Sequence, residues 1–117
     1  MQFMMLIMGD EKTMNTPATV GDTGMSAEFG AYHAALVKSG AWVSGERLKP
    51  TSTATTIRVR DKKAVVLDGP YAETQEQLGG YYIIDVPSLD EAIEWAAKCP
   101  AARAGAIEVR PVWPTEH

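Results

Sequence analysis

The chain has 117 residues, 45% hydrophobic and 22% charged, with 15 acidic against 11 basic side chains and a formal net charge of −4. That size and balance fit one globular domain with its own core and exclude disorder as the default, while the acidic excess argues against nucleic acid as the partner. A single cysteine, Cys99, excludes an intrachain disulfide and gives no sign of an oxidising compartment.

Residues 2–8 predict a strand apolar on both faces, with Phe3, Met5 and Ile7 on one and Met4, Leu6 and Met8 on the other. Both faces then need cover. The apolar run is too short to span a bilayer, which takes about 20 residues. It has no basic leading segment and runs into Gly9-Asp10-Glu11-Lys12, so it reads as a strand and the protein as cytoplasmic, away from the membrane. Residues 9–23 read as a long polar loop, of the kind that serves as a lid or binding loop.

From Met25 to Ser39 the period becomes helical. Met25, Phe29, Tyr32 and Leu36 form one stripe, and Lys38 with Gly40 marks the end. Ala41 to Leu48 form a strand that stops before Pro50. Residues 54–67 predict a hairpin: Thr55, Ile57 and Val59 alternate with Thr56, Arg58 and Arg60, Asp61-Lys62-Lys63 turns, and Ala64 to Leu67 return. Asp68-Gly69-Pro70-Tyr71 breaks that strand, and a polar link leads through Gly79-Gly80 to the strand Tyr81–Val86. Ser88-Leu89-Asp90-Glu91 fits a capping box at the start of a second helix, whose apolar face reads as Leu89, Ala92, Ile93 and Ala96 and which Pro100 stops. A last strand covers Ala106 to Arg110.

The order β-α-β-hairpin-β-α-β spans residues 1–117 as a single domain and predicts a ferredoxin-like α+β sandwich, both helices on one face of a mostly antiparallel sheet. Strands apolar on both faces then call for a homodimer that covers the open side.

Asp68-Gly69-Pro70-Tyr71-Ala72-Glu73-Thr74, followed by Glu76-Gln77-Leu78-Gly79-Gly80-Tyr81-Tyr82, resembles the signature of the YCII-related, or DGPF-domain, family. Tyr71 stands where that family usually has Phe. The resemblance continues through Met4 to Ile7, Gly45 to Leu48, Leu89 to Ala92, Cys99 to Arg103 and Ile107 to Pro111. It implies a ferredoxin-like domain that dimerises into an α/β barrel. It also implies small-molecule chemistry with a His–Asp pair in the wider group, and for DGPF-type members a functional link to a sigma factor.

Asp68 is the first candidate catalytic residue, a carboxylate at a strand end held by Gly and a φ-fixing Pro. Asp before Gly-Pro is also a common turn former, its side chain capping nearby backbone N–H groups. His33 is the acid–base candidate; it lies about 80° from Met25 around the helix, at the margin of the buried stripe. A His33–Asp68 pair would raise the imidazole pKa and leave the other ring nitrogen to move a proton in an isomerisation, elimination or hydrolysis. Candidate substrate-binding residues are Tyr71, Glu46, Arg58 and Tyr81, with Glu73 also near; Glu46 and Arg58 are expected to face each other on neighbouring strands. No metal-ligand spacing and no dinucleotide or Walker glycine pattern is present, so no cofactor is expected. The two readings are a cofactor-free acid–base enzyme on a small molecule and a non-enzymatic ligand-binding or regulatory module tied to sigma-factor-dependent transcription.

Overall fold

The structure is a computed structural model that describes residues 1–14 and 26–115. It is an α+β protein with two antiparallel sheets. Six strands are described: β1 (Gln2–Gly9), β2 (Trp42–Arg47), β3 (Thr55–Arg60), β4 (Lys63–Asp68), β5 (Gln77–Asp85) and β6 (Ala106–Pro111). Among the described residues the α-helices are α1 (Glu11–Met14), α2 (Ala27–Ser39) and α3 (Leu89–Lys98), with 3₁₀ turns at Thr51–Thr53 and Pro100–Arg103. α1 occupies part of the segment read as loop, and Met25, Pro17 and Gly21 lie outside the described residues. No helix among them is long and apolar enough to cross a membrane.

Four strands form one sheet in the order β2-β5-β1-β6. β1 is central, and its odd residues Phe3, Met5 and Ile7 are buried beneath the helices with Tyr82 and Ile84 of β5. Tyr32 and Leu36 of α2, and Ala92 and Ala96 of α3, supply the other half of this core. The helices start where short polar caps allow: Ser26 Oγ accepts from Phe29 N–H at 3.2 Å, and Ser88 Oγ from Glu91 N–H at 3.3 Å. Gly40 ends α2 at φ 82°, a left-handed backbone that favours glycine. α3 departs from the expected apolar face. Only its small residues Ala92 and Ala96 are buried, while Leu89 and Ile93 are 48% and 50% exposed, because Trp95 takes the lateral packing beside α2.

β5 begins earlier than expected, at Gln77, and runs through Gly79-Gly80. A Cβ on Gly80 would lie 2.8 Å from the Glu46 carbonyl oxygen, so the glycine lets β2 lie close alongside. The opposite face of the sheet carries two transverse rows set by the register: Ser44, Ile83, Met4 and Arg110, then Glu46, Tyr81, Leu6 and Glu108. Its central side chains Met4, Leu6, Met8, Tyr81 and Ile83 are half-buried. The molecule is only 22 Å thick along its shortest axis, against 48 and 40 Å along the others. That is the depth of one sheet and one helix layer, and the chain does not close into a barrel by itself.

β3 and β4 pair only with each other. They form an arm that turns through Asp61 and Lys62 (φ 51° and 63°), two positive-φ residues as a tight hairpin turn requires. The arm hangs from the closely paired Ala54 and Gly69, whose backbones are joined by Gly69 N–H donating to Ala54 O at 2.8 Å.

Candidate functional site

The signature turn closes the base of this arm. Gly69 sits at φ 116°, where a side chain is strained, and Thr56 Oγ1 donates to its carbonyl at 2.8 Å. The Thr56 hydroxyl and the Gly69–Ala54 backbone bond, not the Asp68 carboxylate, hold the turn. Asp68 is exposed, opposite Thr55 in the arm, and makes no side-chain hydrogen bond or ion pair among the described residues. Tyr71 is also exposed, and the Arg58 guanidinium lies over its ring at 5.1 Å from the centroid, a cation–π contact that draws Arg58 back toward the turn.

Beneath the turn lies a cleft of about 360 Å³ lined by Thr51, Ser52, Pro70, Ala72, Glu73, Thr74 and Gln77. Its walls come from both sides of the arm in sequence, and Glu11 joins them. The Glu11 carboxylate accepts from Thr51 N–H at 2.6 Å and Thr51 Oγ1 at 2.8 Å, while Glu11 N–H donates to Gln77 Oε1 at 3.0 Å. Thr51, Gln77 and Glu11 escaped the sequence reading because they lie far apart in the chain. The one local signal was Gln77, directly ahead of the Leu78-Gly79-Gly80 run.

His33 sits on the helix side of the sheet, half-buried, with its ring edge-on to Trp42 at 4.4 Å between centroids. Trp42 continues into Tyr82, Tyr32 and Trp95 at successive centroid separations of 5.6, 5.7 and 6.0 Å, so His33 caps one end of an aromatic row. Within one chain no hydrogen bond or ion pair among the described residues joins His33 to Asp68. Glu46 and Tyr81 are neighbours on the open sheet face. Arg58 belongs to the separate arm, so the expected cross-strand pairing of Glu46 with Arg58 does not form: β2 pairs with β5, and β3 with β4 alone. The predicted residues therefore fall in three places: His33 beside the helices, Glu46 with Tyr81 on the open face, and Arg58, Asp68 and Tyr71 on the arm and its base.

A second, larger recess of about 420 Å³ lies between α2 and α3, lined by Tyr32, Trp95, Cys99 and alanines, with Glu28, Lys98 and Arg103 at its rim. Its polar groups are already engaged. Arg103 pairs with Glu28, and Tyr32 Oη donates to the Trp95 carbonyl at 2.6 Å. Burial pushes the Tyr32 hydroxyl and the Cys99 thiol up, with the neighbouring Cys99 adding to the effect on Tyr32, so neither offers a charged nucleophile near neutral pH. In the smaller cleft Thr51, Thr74 and Gln77 are likewise engaged, but the Ser52 hydroxyl and the Glu73 carboxylate make no hydrogen bond among the described residues, which makes it the better candidate for a ligand.

The chain is 36% identical over 114 residues to an uncharacterised protein of Rhizobium meliloti (strain 1021), an alignment covering 96% of this chain and 92% of that protein. A sequence model of the YCII-related domain matches residues 1–116, which include the signature turn, the cleft and the core strands, and on that match the chain belongs to the YCII-related domain family.

Proposed function

We propose that this protein, a DGPF-type member of the family, binds a small polar molecule in the cleft beneath Asp68-Gly69-Pro70-Tyr71. The observation that carries this reading is the cleft itself: about 360 Å³, a volume suited to a small metabolite, walled by the signature segment and by Thr51, Ser52 and Gln77. We further read the four-stranded sheet with its two long helices as a ferredoxin-like sandwich that works as a homodimer in the cytoplasm. The order β2-β5-β1-β6 supports the first part, and the half-buried apolar open face supports the second.

A second reading, a cofactor-free acid–base enzyme, draws on a different observation. Neither His33 nor Asp68 is taken up by another hydrogen-bonding partner among the described residues, so a ligand or a second chain can bring them into use.

Thermal shift against a panel of small hydroxy acids, keto acids and lactones separates the two. A ligand at 100 times its Kd stabilises by about 2.7 kcal/mol, several degrees in a domain of this size. If the cleft binds it, Glu73→Ala and Thr51→Ala abolish the shift and His33→Ala keeps it. Loss of the shift in His33→Ala and Asp68→Ala, with Glu73→Ala unaffected, would instead support the paired acid–base site.

A further inference from the structure

We propose that the cleft beneath the signature turn takes a small hydroxylated ammonium compound, an amino alcohol or amino sugar, and turns away small acid anions. This rests on the cleft reading above and names the chemical class that the cleft selects. A site recognises a ligand through the polar groups that its own fold has left unused. Among the described residues of the wall two such groups are unused, the Glu73 carboxylate and the Ser52 hydroxyl. A carboxylate only accepts hydrogen bonds, and a hydroxyl accepts as well as donates. Thr51 has given its hydroxyl proton to Glu11, so its oxygen is left with lone pairs alone. Gln77 accepts from the Glu11 N–H and donates to the Thr74 carbonyl, which leaves its amide one N–H to offer. The wall is thus richer in acceptors than in donors, and a ligand that satisfies it must bring donors of its own.

Charge points the same way. Glu73 is the one charged side chain in the wall, and Glu11, part-buried behind Thr51, adds a second carboxylate on the opposite side. From Ala72 to Leu78 the chain carries Glu73 and Glu76 and no base. The bases next to these segments do not line the cleft. Lys12 and Lys49 are exposed, and Arg58 is drawn over the ring of Tyr71, itself 77% exposed. An anion entering the cleft would meet carboxylates without a cation to answer it, whereas an ammonium group donates charge-assisted hydrogen bonds to Glu73. Hydroxyl groups on the same molecule match Ser52 and the Thr51 oxygen, and Pro70 and Ala72 give its carbon chain an apolar strip. At about 360 Å³ the cleft is at the small end of ligand sites, which suits a molecule no larger than a monosaccharide.

Calorimetric titration at neutral pH with matched probes tests it, each series holding an ammonium, a neutral and an anionic member on one skeleton. The series are ethanolamine, ethylene glycol and glycolate; serinol, glycerol and glycerate; and glucosamine, glucose and glucuronate. In at least one series the ammonium member is expected to bind about tenfold more tightly than the neutral one, and the anion not at all. Added salt should weaken the ammonium member alone. Glu73 is exposed and has no internal partner, so Glu73→Gln should fold normally and bring the ammonium and neutral members to about equal affinity. An anionic member that binds wild type and loses binding in Thr51→Ala keeps the cleft as a ligand site and overturns this class. A neutral member that binds as tightly as the ammonium one overturns it too. An ammonium member held equally by wild type and Glu73→Gln overturns the inference, and if His33→Ala abolishes that binding the cleft reading falls with it. No binding in any series overturns the inference alone, since the acids and lactones above decide the cleft reading separately.

Discussion

Tyr32 shows how one side chain settles two structural accounts. The amide N–H of Cys99 turns back to the Ala96 carbonyl at 3.1 Å, which ends α3 and leaves the Trp95 carbonyl without its usual partner four residues on. The Tyr32 hydroxyl donates to that carbonyl, tying α2 to the end of α3. Tyr32→Phe leaves the carbonyl unpaired in a partly buried place and is expected to cost about 1–3 kcal/mol in urea unfolding, with the fold unchanged. Tyr82 makes a separate prediction about pH. Burial first, and Cys99 second, push its hydroxyl up to about 12 from 10.0. The folded state holds that proton more tightly than the unfolded chain does. The stability it contributes is therefore complete below pH 10 and is lost as pH rises from about 10 to about 12, with a slope of up to about 1.4 kcal/mol per unit. Melting in a series of alkaline buffers should show this fall together with those of Tyr32 and Cys99, and Tyr82→Phe should make it shallower without removing it. A fall of equal steepness in the variant would rule Tyr82 out as one of its sources.

Among the elements, those with strong local signals were legible in the sequence. The arm announced itself by alternation, and α3 by Ser88 three residues before Glu91. What neighbours each element was not legible in the same way. Glu46 and Arg58 both alternate correctly within their strands, yet period-two patterning does not say which strands pair, so their expected meeting failed. Leu89 and Ile93 lie at helical spacing, but a ten-residue helix lying beside Trp95 needs only two alanines against the sheet. The candidate site suffered most, since its walls join Glu11, Thr51 and Gln77 through contacts across 40 and 66 residues. The arm's turn offers a clean test at this scale. Asp61 and Lys62 hold positive φ without being glycine, so Asp61→Asn/Lys62→Gly should stabilise the hairpin by about 0.5–1 kcal/mol. Hydrogen exchange of the β3 and β4 amides reads this directly; unchanged or faster exchange would contradict the turn assignment.

At the scale of the whole molecule, core and arm are separately built. The buried residues come from β1, β5, α2, α3 and the segments that adjoin them, and none lies between Thr55 and Asp68. Because Ala54 and Gly69 are already bonded to each other, a short Gly-Asn-Gly link can replace residues 55–68 without moving either end. The shortened chain should keep its cooperative melt, with Tm within a few degrees of wild type, by circular dichroism. Loss of the cooperative transition would mean that the arm is part of the folding unit. The Ala54–Gly69 pair has a consequence for descent as well. A doorway closed by its own hydrogen bond lets whatever lies beyond it lengthen, shorten or change its surface without disturbing the house. Relatives can thus diversify in what the arm presents while keeping one unaltered interior.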